Sequence, residues 1–211
     1  MSQILQASKL SLYDVIQQFH LQEVKDAHFF REIVDDLVEL SDRENQDLDL
    51  IKEEYLYLAQ RPMLEDLVKM VVLSPLLSCA GFYHAPFFVK AEEAIAIALE
   101  DKDQVIKGQI DLLVVQDALW IVVIEAKHSA FNVMVALPQI LTYMSVSSQE
   151  NQPVFGLITN GSDFHFIKLV RSQYAISRRF SLYDADNALY DVLRILKHLG
   201  QLTIPTSRIN G

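Results

Sequence analysis

Cysteine is nearly missing from this chain. Cys79 stands alone in 211 residues, which forbids an internal disulfide and any thiolate zinc cluster. Glycine and proline are scarce, at six each, so collagen-like and low-complexity architectures are excluded. Long apolar runs are absent too. Stretches such as Trp120 to Ile124 fall far short of the roughly 18 residues a membrane helix needs. The first residues, Met1-Ser2-Gln3-Ile4, have neither the basic start nor the apolar core of a secretory signal. A soluble, cytoplasmic protein with no membrane partner is the expectation. With 51% apolar and 22% charged residues, the chain is neither disordered nor short of core-forming material.

Positive charge is also in deficit, and unevenly so. The net charge is −10, and residues 1–66 hold 6 basic and 15 acidic side chains. Residues 164–211 reverse the balance, with 7 basic and 3 acidic. A pI near 5.0 argues against a protein that coats nucleic acid by phosphate neutralisation alone. It does not exclude an enzyme that meets phosphate through a bound cation.

The front third carries helical periodicity. Leu12, Val15, Ile16 and Phe19 recur at spacings of three and four, with Ser11 as a cap. A second stripe runs from Phe29 to Leu40, Ser41 to Asp47 has the composition of a polar turn, and Leu48 to Ala59 predicts a third helix. A fourth is expected to begin near Pro62 and to end before Pro75 or at Gly81. Short Val- and Ile-rich runs follow: 87–89, 94–99, 105–115 and 119–124, with turns at 100–103 and 116–118, which predict a three-stranded meander. A helix is expected over 131–147, with Pro138 as a kink or fresh start. Strands over 154–159 and 164–170, an edge strand over 174–182 and a helix over 187–199 capped by Gly200 complete the pattern. The natural packing is α/β, a mixed sheet flanked by helices.

Charges inside apolar strands require a reason, because an unpaired buried charge is very costly. Asp111 lies in the strand Gly108 to Val115, and Glu125 and Lys127 close the next one. Residues two apart on a strand share a face, so Glu125 and Lys127 project together. A hairpin through residues 116–118 brings Asp111 beside Glu125. Two carboxylates and the Ala126 carbonyl form a hard oxygen set suited to Mg²⁺, and the lysine could act on an attacking water or on phosphate. The same pattern also suits a structural ion pair at a sheet end. On the next helix, Gln139 and Tyr143 are four apart and share a face.

Asp111, then Glu125-Ala126-Lys127, then Gln139-Ile140-Leu141-Thr142-Tyr143 resembles the PD-(D/E)xK nuclease superfamily. It looks most like the nuclease domain at the front of type I restriction enzyme R subunits, with RecB-like nucleases more distant. The resemblance spans about residues 60–170. It implies a restriction-endonuclease-like mixed sheet, with residues 1–60 as an acidic helical extension packed as one unit with a nuclease-like domain over 61–211. It also implies a metal-dependent DNA endonuclease. Asp111 and Glu125 would be ligands for Mg²⁺ or Mn²⁺, Lys127 the catalytic lysine, and Gln139 with Tyr143 positioning residues. Glu65, on the helix after Arg61-Pro62-Met63-Leu64, is the expected third acidic ligand, with Glu54 in reserve. Ile110 stands where the superfamily's name has proline. No Gly-x-x-x-x-Gly-Lys-Ser/Thr run follows, so this chain by itself carries no ATP-driven motor. The competing reading is a non-catalytic module that keeps the nuclease fold within a larger complex.

DNA is the expected partner, with a homodimer and a protein partner on the acidic front helices as further options. Lys168, Arg171, Arg178 and Arg179 could follow a DNA backbone or form a solvated face. The six histidines lack a His-Glu-x-x-His pattern and are expected to be structural or exposed. Cys79 is expected in the core.

Overall fold

The computed structural model describes residues 3–99, 104–116, 119–130, 132–147 and 152–202. Among them, nine strands form one sheet: β1 (Gln3–Gln6), β2 (Gln22–Glu23), β3 (Phe87–Leu99), β4 (Gln104–Gln116), β5 (Leu119–Ala126), β6 (Val154–Thr159), β7 (Asp163–Val170), β8 (Gln173–Ile176) and β9 (Phe180–Ser181). The main path runs β1-β4-β5-β6-β7-β8-β2, with β3 on β4 and β9 on β7. Most pairings are antiparallel, but β5 pairs with β6 in parallel. A parallel pair needs a crossover, and α5 (Leu137–Ser147) supplies it.

Two helical layers cover the sheet. One face packs against α2 (Asp42–Leu58), α3 (Glu65–Val68), α4 (Ser74–Cys79) and α6 (Leu189–Gln201), through Leu48, Val72, Leu76, Val122, Ile124 and Leu196. The other face packs against α1 (Leu12–Phe19) and α5, through Val15, Leu113, Val123, Ile140, Met144 and Ile158. From Val122 to Ile124 on β5 the division alternates, as the pleat requires, and a register shift opposite Val114 and Val115 puts Trp120 on the second core. The division also slips in the β3–β4 hairpin. Phe87, Val89 and Leu112 belong to the first core, whereas Ile95, Ile97 and Ile110 belong to the second. At the slip, Glu92 takes a left-handed conformation (φ 55°), and the ladder skips the rung between Glu92 and Asp111. A side chain with that φ is uncommon and tends to sit where function demands it.

Much of the expected pattern is present. Ser11 and Asp14 form a capping box on α1. Three expectations change. Residues 29–40 hold no long helix: a short 3-10 run covers Ala27–Ile33 with non-helical backbone at Phe30, and Asp36 is left-handed. Their apolar side chains, among them Phe29, Ile33, Leu37 and Leu40, instead lie one by one on the first core. Ser41 opens α2, since Ser41 and Glu44 form a second capping box where a turn was expected. Gly200 is inside α6 and not its cap, for a Cβ there would stand 2.9 Å from the Phe82 ring. The front segment also contributes β1 and β2 to the sheet, pairing with β4 and β8. The 87–89 and 94–99 runs are one strand, β3. The fourth helix starts at Glu65 and passes through a π-helical turn, Lys69–Leu73, into α4. The turn at 100–103 and residues 117–118 lie outside the described residues, as does residue 131. No described helix is long and apolar enough to cross a membrane.

Candidate active site

The site forms where the sheet forks. On one edge of β4, β1 pairs with residues 104–107 and β5 with residues 112–116. Among the described residues no strand pairs with 108–111 on that side, so their backbone groups need other partners. Tyr143 of α5 fills the gap. Its hydroxyl donates to the Gln109 carbonyl (3.0 Å) and accepts from the Gln109 N–H (3.2 Å). Gly108 admits the ring, because a Cβ there would lie 2.6 Å from Tyr143 Cε1. Gly108→Ala is therefore expected to destabilise the fold by about 1–3 kcal/mol, from overpacking. Tyr143→Phe should lose a similar amount, about 1–3 kcal/mol, by stranding Gln109. Chemical denaturation of both variants checks these values.

Asp111 sits one position beyond the last β4–β5 rung, Leu112 with Ile124, and so lies across from Glu125. Its Oδ2 accepts from the Ala126 backbone N–H (2.8 Å), which ties the strand ends together. Its Oδ1 is 2.9 Å from Lys69 Nζ. Glu125 is 1% exposed and faces α5. Its Oε1 accepts from Lys127 Nζ at 2.6 Å, while Oε2 is buried without a partner. Lys127 also donates to Gln139 Oε1 (3.3 Å), and Gln139 Nε2 donates to Tyr143 OH (2.8 Å). One hydrogen-bonded chain thus runs from Glu125 through Lys127, Gln139 and Tyr143 to the backbone of β4.

The loop after β5 is anchored at two points. The Lys127 backbone N–H donates to the Thr159 carbonyl of β6 (2.8 Å). Ser129 exchanges backbone and hydroxyl hydrogen bonds with Met63, fixing the segment that leads into α3 and carries Glu65. Glu65 is half-buried and acts on Glu125 and Lys69 through its charge. Among the described residues, no group of three or more His, Cys, Asp or Glu side chains is arranged to hold an ion. The structure therefore converges two of the three expected acidic ligands. Glu54 is not with them: it is exposed on α2, lining a shallow groove with Asp47, Pro75, Ser78 and Cys79.

Burial, reinforced by the Asp111 charge, pushes the Glu125 carboxyl up to about 8; the ammonium of Lys127 pulls the other way without overcoming it. Burial, together with the negative charge of Glu125, raises the Tyr143 phenol to about 12, so it remains a neutral donor. Perturbed groups gathered beside a charge partner make this cluster a functional-site candidate. The oxygen donors present, Asp111, Glu125 and the Ala126 carbonyl, are of the kind a hard divalent ion takes, and Glu125 Oε2 is buried without a hydrogen-bond partner.

Residues 12–175 match the family model of the type I restriction enzyme R protein N terminus. The chain belongs to that family. A solved fragment described as an HsdR subunit of a type I restriction enzyme, from Vibrio vulnificus YJ016, is similar at 20% identity and a TM-score of 0.42. The match covers 57% of this chain and 24% of that one, so the chain spans about a quarter of that structure's length. No curated protein matches the sequence.

Two residues of this R-protein N-terminal site escape the sequence motif. Lys69 contacts Asp111 from the opposite helical layer. Its signal was a lysine four positions after Glu65 on an otherwise apolar helix stripe. Gly108, in a strand interior, marks a close approach of another group. The basic residues near the sheet edge are largely committed internally. Lys168 binds Glu32 (2.6 Å) and the Phe29 carbonyl (2.7 Å), Arg178 pairs with Asp191 (2.7 Å), and Arg179 lies 3.9 Å from Asp163. Cys79 is half-buried against the first core.

Proposed function

We propose that this R-protein N-terminal domain hydrolyses DNA phosphodiester bonds with a divalent cation, Mg²⁺ or Mn²⁺, held by Asp111 and Glu125. The observation that carries the reading is the chain Glu125–Lys127–Gln139–Tyr143, anchored at the fork of β4, beside a buried carboxylate oxygen that has no partner. A bound dication would polarise the scissile phosphate and lower the pKa of a water molecule. Glu125 and Gln139 hold the Lys127 ammonium in one orientation, so that it meets the phosphate or the attacking water without first paying for its own ordering. Tyr143 holds Gln139 and Asp111 holds the Ala126 backbone, which keeps the β4 and β5 ends in register. Glu65 adds negative charge that favours a cation. The cluster sits at the carboxyl end of β5, the end at which open α/β sheets commonly bind ligands.

The test is incubation of the purified protein with supercoiled plasmid and with single-stranded DNA, in Mg²⁺, Mn²⁺ or EDTA, beside Lys127→Ala. Cleavage that needs the metal and disappears in the variant is expected. Equal cleavage by parent and variant would refute the assignment. One observation favours the second reading, a non-catalytic module: Asp111 Oδ1 is already taken by Lys69. On that reading neither protein cuts, with or without metal.

A further inference from the structure

Two cations stand at this site, and only Lys127 has a place in the proposed reaction. The second, Lys69, approaches from the other helical layer. Its Nζ is 2.9 Å from Asp111 Oδ1, with side chains 18% and 15% exposed. The other Asp111 oxygen is committed to the Ala126 backbone N–H. Lys69 therefore covers the Asp111 oxygen that has no backbone partner.

We propose that Lys69 is a resident, exchangeable counter-ion of Asp111, which a divalent cation must displace, so that Lys69 sets the metal affinity of the site. The inference rests on the metal-dependent reading above. Its first support is electrostatic: an ammonium and a dication on one carboxylate oxygen repel each other strongly where both side chains are mostly buried. The second is an exit. Asp66 Oδ1 lies 3.8 Å from Lys69 Nζ, and its side chain is 92% exposed. A lysine has four flexible methylenes, so a displaced ammonium can turn to Asp66 and solvent without being stranded in apolar surroundings. The third is the backbone. Lys69 opens the π-helical turn Lys69–Leu73, a rare insertion that tends to mark functional positions. Glu65, Asp66 and Asp111 all act on Lys69 through their charges, so the ammonium is held by negative charge on two sides. A tie meant only to brace the fold would not need to occupy a ligand atom.

The experiment is calorimetric titration with Mn²⁺ at low ionic strength, using the parent, Lys69→Met, Lys69→Gln, Lys69→Arg and Asp111→Asn. Removing the competing charge should tighten Mn²⁺ binding in Lys69→Met and Lys69→Gln, on the order of tenfold. Lys69→Arg keeps the charge and should stay within about twofold of the parent. Thermal melting without metal confirms that each variant is folded, and the Mn²⁺-induced rise in melting temperature should be larger for Lys69→Met than for the parent. Unchanged or weaker binding in the two neutral variants overturns the proposal. Binding by Lys69→Met where the parent binds nothing supports it. Parent-like affinity in Asp111→Asn overturns the metal site itself, and no binding by any protein overturns both readings.

Discussion

Asp111→Asn is expected to reduce Mg²⁺-dependent DNA cleavage on the order of a thousandfold or more while the protein stays folded. Asparagine is the informative choice because Asp111 does two jobs with two different oxygens. One oxygen accepts from the Ala126 backbone N–H at 2.8 Å, and an amide carbonyl can continue to do so. The other faces Lys69 and, on the proposed function, the cation; an amide brings no negative charge to either. Loss of the Lys69 contact should lower stability by about 1–3 kcal/mol. That cost is softened because Asp66 is 3.8 Å from the same ammonium. Plasmid cleavage and a melting curve on the same preparation separate the effects. A folded Asp111→Asn that cuts at the parental rate would remove the carboxylate from the chemistry.

The legible parts of this molecule are those where chemistry follows from spacing along one element. Glu125 and Lys127 share a strand face because side chains alternate, and Gln139 and Tyr143 share a helix face because four residues make about one turn. Both pairs do meet, in one hydrogen-bonded chain. The pairing of β4 with β5 was also legible, since one short turn joins two apolar runs. What escaped was set by tertiary partners. The stripe from Phe29 to Leu40 has helical spacing, yet Lys168 takes the Phe29 carbonyl and Glu32 carboxylate, and the segment follows the sheet. Strands β1 and β2 are too short to announce themselves; they exist because β4 and β8 offer free edges.

The fork itself was invisible for a similar reason. Nothing local to residues 108–111 says that β1 and β5 stop short of one another. Only Gly108, a residue strands usually avoid, hints that an aromatic ring from α5 arrives there. Lys69 lay inside an apolar helix stripe, where snorkelling to solvent is the ordinary expectation. Its partner is sequence-distant Asp111, and that proximity needs the Met63–Ser129 clamp to bring α3 against the end of β5.

Changing pH should move the metal-free protein and its cation affinity in opposite directions, and Glu125 is the cause. Its carboxyl is raised from 4.5 to about 8, first by burial and then by Asp111. The folded state therefore binds this proton more tightly than the unfolded chain does. The resulting stability is complete below about pH 4.5 and is lost as pH rises towards 8. The loss can reach about 1.4 kcal/mol per pH unit within that window. Glu125→Gln, with no proton to lose, should flatten this part of the profile in urea melts recorded with EDTA. A cation behaves inversely, because it binds the carboxylate and must expel the proton. Mn²⁺ affinity should climb by up to about tenfold per pH unit and level off near pH 8. Over pH 6 to 8 the gain is about fiftyfold, because the carboxyl is half ionised at its pKa, and it exceeds any expected from the exposed carboxylates of the surface. The contrast identifies the group: a buried acid that gives stability when protonated and binds a cation only when ionised. A metal-free profile flat between pH 5 and 8, with Mn²⁺ affinity flat beside it, would mean that Glu125 keeps its charge throughout and that the Lys127 pair, at 2.6 Å, outweighs its burial.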